Sequence, residues 1–178
     1  MFLLYPILVA LAAGLLLGGR LANLEAARFR WAGLALLGLV VQVALFSPFV
    51  APWIGVAGAP LYVGSTALVL AAAVRNAGQP GLALAAAGGF LNLAAIVANG
   101  GWMPADPGAL AALGRSGVAT GYSNSVVGGA AVALWPLTDI FAMPRAIPGA
   151  NVFSVGDALI GLGAFVWLFV TLRRDPAR

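Results

Sequence analysis

The amino-acid sequence predicts an all-α, polytopic membrane protein with about five transmembrane helices, and three observations carry that prediction. Hydrophobic residues make up 62% of the 178 residues, and charged residues make up only 8%. This composition lies far from that of a soluble domain and is typical of membrane-spanning helices. Five apolar runs have nearly the length that crosses a bilayer, and arginines cluster at their ends. The whole chain, residues 1–178, is therefore predicted to form a single membrane domain.

The five predicted spans follow one another at about 2–19, 31–47, 60–74, 81–98 and 154–172. At about 1.5 Å per residue they span, or nearly span, the roughly 30 Å hydrocarbon layer, and the run 60–74 is the short one. No basic residue precedes the first run, which indicates a transmembrane helix and not a cleaved secretory signal. Within it Ala10, Gly14 and Gly18 fall four apart, a pattern that lets another helix pack closely.

The distribution of arginine predicts the orientation of these spans. With five crossings, Arg115 and Arg145 fall on one face of the membrane. The other seven basic residues fall on the opposite face, namely Arg20, Arg28, Arg30, Arg75, Arg173, Arg174 and Arg178. Because basic residues concentrate on the cytoplasmic side, we expect the N-terminus outside and the C-terminus inside. In the basic stretch 20–30, Asn23 is expected to cap a short amphipathic turn.

The segment 99–150, between the last two spans, is predicted to form an outer cap on the bundle. It is too polar, and too often interrupted by glycine and proline, to be another simple span. Asp106 followed by Pro107 predicts a capped helix start, and Gly114 is expected to end that short helix. Residues 114–125 are typical of a loop. Residues 126–137 are apolar but only about a dozen long, which suits a re-entrant or interfacial helix.

The composition also excludes several kinds of chemistry. The chain contains no cysteine and no histidine. Disulfides, thiol nucleophiles, serine–histidine triads and His or Cys metal and haem sites are therefore excluded. No cofactor and no metal ion are expected. The formal net charge of +4 is too thinly spread along the chain for nucleic-acid binding, so no nucleic acid is expected as a partner.

A few polar residues interrupt the apolar spans, namely Gln42, Ser65, Thr66, Asn92 and Asp157. Counting inward from each helix end places them in the middle or outer half of the membrane, so they are expected to converge. Two interpretations remain open. One is an outward-opening polar pocket beneath the cap. The other is hydrogen bonding between helices, commonly worth about 0.6 to 2 kcal/mol per pair.

Asp157 is the only acidic residue inside a predicted span, and an ionisable group at membrane depth is costly enough to suggest a function. Asp139, eighteen residues earlier, is its expected partner. Two carboxyl groups that share a proton supply a base for water and an acid for the leaving group. Structural alternatives stay open, because Ser154 and Asp157 fit an S-x-x-D capping box, and Asp139 suits a turn cap or an ion pair with Arg145.

Three stretches carry a resemblance that covers nearly the whole chain. They are GGRLANL at 18–24, ANGGWMP at 98–104, and LTDIFAMP with NVFSVGD within 137–157. With these motifs the chain resembles an uncharacterised bacterial family of small multi-pass membrane proteins, classed as a domain of unknown function. The resemblance implies a shared fold and a location in the bacterial plasma membrane. It implies no activity.

The C-terminal half also resembles signal peptidase II, the lipoprotein signal peptidase, which is an intramembrane aspartic protease. Its GG-x-x-x-N-L pattern is echoed, with one residue fewer between glycine and asparagine, by Gly88, Gly89, Asn92 and Leu93, and its F-N-x-A-D motif is echoed by Asn151, Phe153 and Asp157. This resemblance implies that Asp139 and Asp157 are the catalytic pair. The chain departs from that family in lacking its aspartate–glutamine pair in helix one and its N-x-G-A-A-F segment. It also has a long outer segment and one extra helix.

These observations lead to three hypotheses of function. The first is a hydrolase that acts on a lipid-anchored or membrane-embedded substrate. Its catalytic residues are Asp139 and Asp157, and its expected substrate-binding residues are Asn92, Asn151, Ser154 and Gln42. The second is a non-catalytic subunit or assembly factor of a larger membrane complex, and the third is a small carrier. Membrane lipids are expected partners in all three.

Overall fold

A computed structural model of the chain describes residues 2–115, 126–127 and 131–174, and it is mostly helical. Five long helices follow the apolar runs, namely α1 (Leu4–Leu16), α3 (Ala32–Leu45), α4 (Gly58–Arg75), α5 (Leu82–Ala98) and α7 (Val155–Leu172). Two short helices, α2 (Ala22–Glu25) and α6 (Pro107–Ala112), lie in the connections. The all-α prediction did not include four two-residue strands, which are β1 (Pro104–Ala105), β2 (Val126–Val127), β3 (Phe141–Ala142) and β4 (Val152–Phe153).

Each of the five predicted runs contains a helix, but two predicted bounds are corrected. Helix α1 ends at Leu16 because Gly18 adopts a left-handed backbone with φ +87°, and Gly19 N–H bonds back to the Gly14 carbonyl at 2.8 Å. Helix α4 begins at Gly58 and has 18 residues, so it is not the short helix. Pro60 is tolerated in its first turn, since a backbone N–H there has no partner within the helix.

Length and composition set two of these helices apart. Among the described residues, two helical segments are long and apolar enough to cross a membrane, namely Gly55–Arg75 and Val155–Leu172. The first consists of a 3-10 turn (Gly55–Ala57) followed by α4. Helices α1, α3 and α5 are apolar but shorter, with 13, 14 and 17 residues. By this measure the fold has two candidate membrane helices and three shorter apolar ones.

The long helices pack side by side in the order α1, α7, α5, α4, α3, so the last helix lies between the first and the other three. Helices α5 and α7 pack closely through glycines on both helices. Gly88 lies against Gly156, and seven residues away on each helix Gly81 lies against Gly163. A Cβ atom on Gly88 would lie 2.9 Å from the backbone nitrogen of Ile160. Because glycine has no side chain, the two antiparallel backbones come into direct contact.

Contacts near the helix ends fix the direction of the other helices. The Phe2 ring stacks on Phe153 with centroids 4.3 Å apart, so the start of α1 lies at the start of α7. Tyr62 near the start of α4 meets Phe46 at the end of α3, with centroids 5.0 Å apart. Gly101, just after α5, lies against Ala59 of α4. Helices α1, α4 and α7 therefore point one way and α3 and α5 the other, so each long helix reverses the direction of the one before it.

The small-residue stripe of α1 packs only in part. Ala10 is fully buried, and a Cβ atom on Gly14 would lie 2.6 Å from Leu172 Cδ1, so α1 lies close against α7 at both positions. Gly18 lies beyond the end of the helix with open space around it. The expected packing contact is therefore present for Ala10 and Gly14 and wrong for Gly18.

One end of the bundle, which we call the basic end, gathers six arginines, namely Arg20, Arg28, Arg30, Arg75, Arg173 and Arg174. Arg20 N–H bonds to the Leu172 carbonyl at 2.9 Å, and Gln79 Nε2 donates to the Arg28 carbonyl at 3.1 Å. Arg30 N–H donates to Asn76 Oδ1 at 2.8 Å. These bonds join two connections and the end of α7. Arg178, expected on the same side, lies outside the described residues.

Asn23 acts differently from the prediction. Its Nδ2 donates to the carbonyls of Leu172 and Arg174, each at 2.8 Å, and it makes no cap for its own turn. The physical reason is that the Leu172 carbonyl at the end of α7 has no partner within that helix, and the amide donor satisfies it together with the Arg174 carbonyl just beyond the helix. Asn23 therefore joins the first connection to the end of the last helix.

The opposite end, which we call the capped end, carries the long connection between α5 and α7. The predicted cap at Asp106 is confirmed, since its Oδ1 accepts from Ala109 N at 2.9 Å and Pro107 takes the first helical position. Gly114 follows α6 with φ +71°, as expected for a helix end. Strand β1 pairs with β2 in parallel, and β3 pairs with β4 in antiparallel orientation.

The helix predicted over 126–137 is wrong where the structure describes that stretch. Val126–Val127 forms strand β2, and Trp135–Leu137 forms a single 3-10 turn preceded by Leu134 at φ +51°. β-branched valines suit a strand, and their backbone here pairs with β1. An apolar run of a dozen residues does not by itself distinguish helix from strand. Of the loop predicted over 114–125, residues 116–125 lie outside the described residues.

Candidate functional site

The candidate site is built on the start of α7, where Ser154 caps the helix. Ser154 has an extended backbone, and its Oγ accepts from Asp157 N–H at 2.9 Å. In return Asp157 Oδ2 accepts from Ser154 N–H at 3.1 Å. This is the reciprocal capping box that the spacing of the two residues allowed. The structural interpretation of Asp157 therefore has a geometric basis.

Asn92, from the middle of α5, completes this arrangement from across the helix interface. Its Nδ2 donates to Asp157 Oδ1 at 2.8 Å, and its Oδ1 accepts from Ser154 Oγ at 2.8 Å. Ser154 is fully buried and Asn92 is 9% exposed, so the bond between these two is buried, whereas the bond to Asp157 is partly buried. The three side chains form a closed network, and both oxygens of Asp157 accept a hydrogen bond within it.

Glycine makes this network possible. Gly156 lies directly beside Asn92, and a Cβ atom there would collide with Asn92 Oδ1 and lie 2.7 Å from Asn92 Cγ. The contact between Gly88 and Gly156 brings the two backbones close enough for the short Asn92 side chain to reach Ser154 and Asp157. The repeat of glycine at 81 and 88, and at 156 and 163, is the sequence signal that could have predicted this pairing.

The long connection between α5 and α7 brings Asp139 to the same region. Asp139 N–H donates to the Pro104 carbonyl at 3.0 Å, and Asp106 N–H donates to the Asp139 carbonyl at 3.0 Å, so its backbone is held beside β1. Strands β3 and β4 then bring the chain after Asp139 next to the residues that precede α7. The Asp139 side chain is 5% exposed.

Asp139 and Asp157 line one cavity of about 270 Å³, which we call the carboxyl cavity. Its other walls are Asn151 and Val152 and the first residues of the chain, Phe2, Leu3 and Leu4. No sequence motif predicted that the first residues would form a wall of this cavity. Phe2 gives no local signal for that role, because the stacking of its ring on Phe153 depends on how α1 and α7 pack.

Two arginines support the capped end around this cavity. Arg115 Nη1 donates to Asn151 Oδ1 at 2.9 Å, and its Nη2 donates to the Ala150 carbonyl at 3.1 Å. Arg145, the ion-pair partner considered for Asp139, donates to the carbonyls of Ala111 and Ala112 at the end of α6. Asn151, predicted as a substrate-binding residue, lines the cavity, and its side-chain carbonyl oxygen accepts a bond from Arg115.

A larger cavity of about 600 Å³, which we call the interhelical groove, lies between α3, α4, α5 and α7. Four of the five polar residues expected to converge line it, namely Gln42, Thr66, Asn92 and Asp157. Gln42 Nε2 donates to Thr66 Oγ1 at 3.3 Å. Ser65 instead bonds to the Tyr62 carbonyl of its own helix at 3.0 Å. Asp157 and Leu3 line both cavities, so the two adjoin at the start of α7.

The arrangement offers carboxyl, hydroxyl and amide groups at the junction of a small polar cavity and a larger apolar one. Among the described residues, no three His, Cys, Asp or Glu side chains come together in a way that could hold a metal ion. The groups at this junction can bind the polar part of a ligand by hydrogen bonds, and the two carboxyls can exchange protons with it.

Comparison with known proteins gives one result. No curated protein and no solved structure matches the chain. A family model matches residues 26–169, a range that includes the predicted motifs at 98–104 and 137–157 together with α3 to α6 and most of α7. The chain therefore belongs to the Family of unknown function (DUF5317).

Proposed function

We propose that this chain is a five-span protein of the bacterial plasma membrane, with its capped end outside and its basic end in the cytoplasm. The alternating direction of the five long helices is what five successive crossings require. Six arginines at the basic end, against Arg115 and Arg145 at the capped end, agree with the preference of basic residues for the cytoplasmic side. Exposed Leu, Val and Phe side chains on the long helices suit contact with lipid.

We further propose that the capped end holds a hydrolase site acting on a lipid-anchored or membrane-embedded substrate. The observation that carries this proposal is that Asp139 and Asp157 line the same cavity. In such a pair, one carboxylate takes a proton from water as the water oxygen attacks the substrate carbonyl carbon. The other carboxyl gives its proton to the leaving group as the scissile bond breaks. The proposed topology puts this cavity at the outer edge of the membrane, where lipid-anchored substrates lie.

The second candidate function is a non-catalytic subunit or assembly factor of a larger membrane complex. It is favoured by the bonds of Asp157, whose Oδ2 accepts from Ser154 N–H and whose Oδ1 accepts from Asn92. A carboxylate with this pair of donors is explained as a helix cap alone. In that case the network fixes how α5 packs on α7, and the apolar outer faces of the bundle bind the partner.

Amide substitutions distinguish the two candidates. The native host, with its own copy of the gene deleted, would express one variant at a time. The variants are Asp139→Asn, Asp157→Asn and the double variant, and Asp106→Asn is the matched control. Asparagine caps helices about as well as aspartate, so Asp106→Asn should keep wild-type function. A hydrolase predicts loss of function in both single variants, with the double variant no worse, because the pair acts as one unit. Membrane proteomics and lipidomics would show the uncleaved substrate accumulating in each inactive strain.

Melting temperatures in detergent complete this experiment. Loss of function with an unchanged melting temperature in both single variants supports catalysis. Full function in Asp157→Asn contradicts the hydrolase and leaves the non-catalytic subunit. Loss of function that parallels a lower melting temperature assigns Asp157 to the helix cap.

A further inference from the structure

The interhelical groove is large enough to hold a ligand and is mostly apolar. Its volume of about 600 Å³ falls within the roughly 300–1,000 Å³ typical of ligand sites in proteins. Aliphatic side chains of four helices form most of its wall, including Leu39, Val69, Leu70 and Ile96. A hydrocarbon chain is the ligand chemistry that such walls favour.

The most exposed residues of the groove lie on α3, the last helix in the row, at the side of the bundle. Leu39 and Val43 of α3 line the groove, and they are 50% and 73% exposed. On the proposed topology this side lies in the hydrocarbon layer. A ligand that enters beside α3 therefore comes from the bilayer, and a membrane lipid chain reaches the groove without passing through water.

The polar groups along the groove determine the head group. A chain bound in the groove places one end at Asn92 and Asp157, next to the carboxyl cavity and Asp139. Two carboxyl groups disfavour an anionic head. Entry through hydrocarbon disfavours a charge of either sign, because a charged group is costly to bring into that layer. Hydroxyl, ester and amide groups satisfy both conditions and can bond to Asn92, Gln42 or Thr66.

We propose that the interhelical groove binds one hydrocarbon chain of a membrane amphiphile whose head is uncharged and forms hydrogen bonds, such as an acylglycerol. The inference rests on the proposed function for its membrane setting, and it names the substrate class that the carboxyl pair would meet.

A crosslinking experiment tests the proposal in nanodiscs of saturated phosphatidylcholine. The probe is a monoalkylglycerol ether with a diazirine in the middle of its chain, so a hydrolase cannot cleave it. Irradiation should label Leu70 and Ile96 on the groove wall. Ile96 is only 1% exposed, so its labelling reports the groove and not the outer surface. Labelling of the outer apolar surface serves as an internal reference.

Two glycine variants make a matched pair. Gly89 lines the groove and its Cβ position has room, with Leu70 Cδ1 3.4 Å away, so Gly89→Leu should fill the groove. Gly64 of α4 has open space around its Cβ position and does not line the groove. We expect Gly89→Leu to reduce groove labelling roughly tenfold or more relative to the reference, and Gly64→Leu to leave it unchanged. Equal groove labelling in the two variants overturns the proposal.

Competition experiments on the unaltered protein test which head group binds. They do not depend on whether Gly89→Leu folds. Excess monoolein should abolish groove labelling, whereas oleate and oleylamine, with matching chains, should not. Competition by either charged amphiphile as strong as that of monoolein overturns the proposal. Asp139→Asn should keep full groove labelling, because Asp139 lies outside the groove. If the groove is labelled but monoolein is not hydrolysed, the hydrolase proposal fails and the groove proposal stands. If monoolein is hydrolysed but the groove is not labelled, the groove proposal fails and the hydrolase proposal stands.

Discussion

Replacing Asn92 with leucine should destabilise the protein by removing two hydrogen bonds between α5 and α7. The first joins Asn92 Nδ2 to the Asp157 carboxylate, and the second joins Ser154 Oγ to Asn92 Oδ1. Bonds to charged groups are worth about 1.5–3 kcal/mol and neutral ones about 0.5–1.5 kcal/mol. Bonds within membrane proteins measure lower, at about 0.6 kcal/mol on average, because unfolded helices in a membrane also find partners. We therefore expect Asn92→Leu to cost about 2–3 kcal/mol.

Thermal unfolding in detergent measures this loss. For a chain of this length, each kcal/mol shifts the melting temperature by about 2–4 °C, so Asn92→Leu should lower it by about 4–12 °C. Gln42→Leu is the matched control, since it exchanges an amide for leucine on the same groove but removes one neutral bond of 3.3 Å. The stability lost in Gln42→Leu should stay below about 1 kcal/mol.

Adding Ser154→Ala to Asn92→Leu should cost less stability than the sum of the two single changes, because the two residues share a bond. Equal melting temperatures for Asn92→Leu and Gln42→Leu would refute the network as a source of stability.

Two further predictions concern topology and helix packing. The chain has no cysteine, so single cysteines at the exposed positions Ala146, Ala26 and Gly78 can be labelled without background. Position 146 should react with a membrane-impermeant maleimide in intact cells and positions 26 and 78 should not; the reverse pattern inverts the proposed orientation. Gly88→Ala should lower the melting temperature in detergent, because its new methyl group would meet the backbone of α7 at a cost of about 1–3 kcal/mol. Gly64→Ala, with open space, should have no such effect, and equal behaviour of the two variants would contradict the close backbone contact.

Local signals in the sequence predicted the helices and their caps well. Apolar runs located all five long helices, since burial and membrane insertion both select for such runs. The caps at Asp106 and at Ser154 were predictable because each cap and its partner lie three residues apart. The same information did not separate strand from helix in 126–137, because a short apolar run is compatible with both.

Interactions between distant residues were the part that the sequence did not predict. Asn23 bonds to carbonyls at the far end of the chain, and Arg115 bonds to Asn151 across the capped end. Such partners depend on which helices become neighbours, and composition does not determine that order. The convergence of Asn92 with Asp157 was predicted from their depth in the membrane. Their contact through Gly88 and Gly156 required the packed structure.

The position of α7 between α1 and α5 imposes an order on biogenesis. Of the helices that the structure describes, α1 is synthesised before the others, yet α7, on which it packs, is synthesised after them. Until α7 is synthesised and packed, the Ala10 and Gly14 face of α1 lacks the contacts that α7 provides, and Asn92 of α5 lacks both of its bonding partners. An incomplete chain thus leaves the Asn92 amide without these two partners in the middle of an apolar helix. Packing of α7 against α1 and α5 satisfies that amide in the same step that forms the carboxyl cavity.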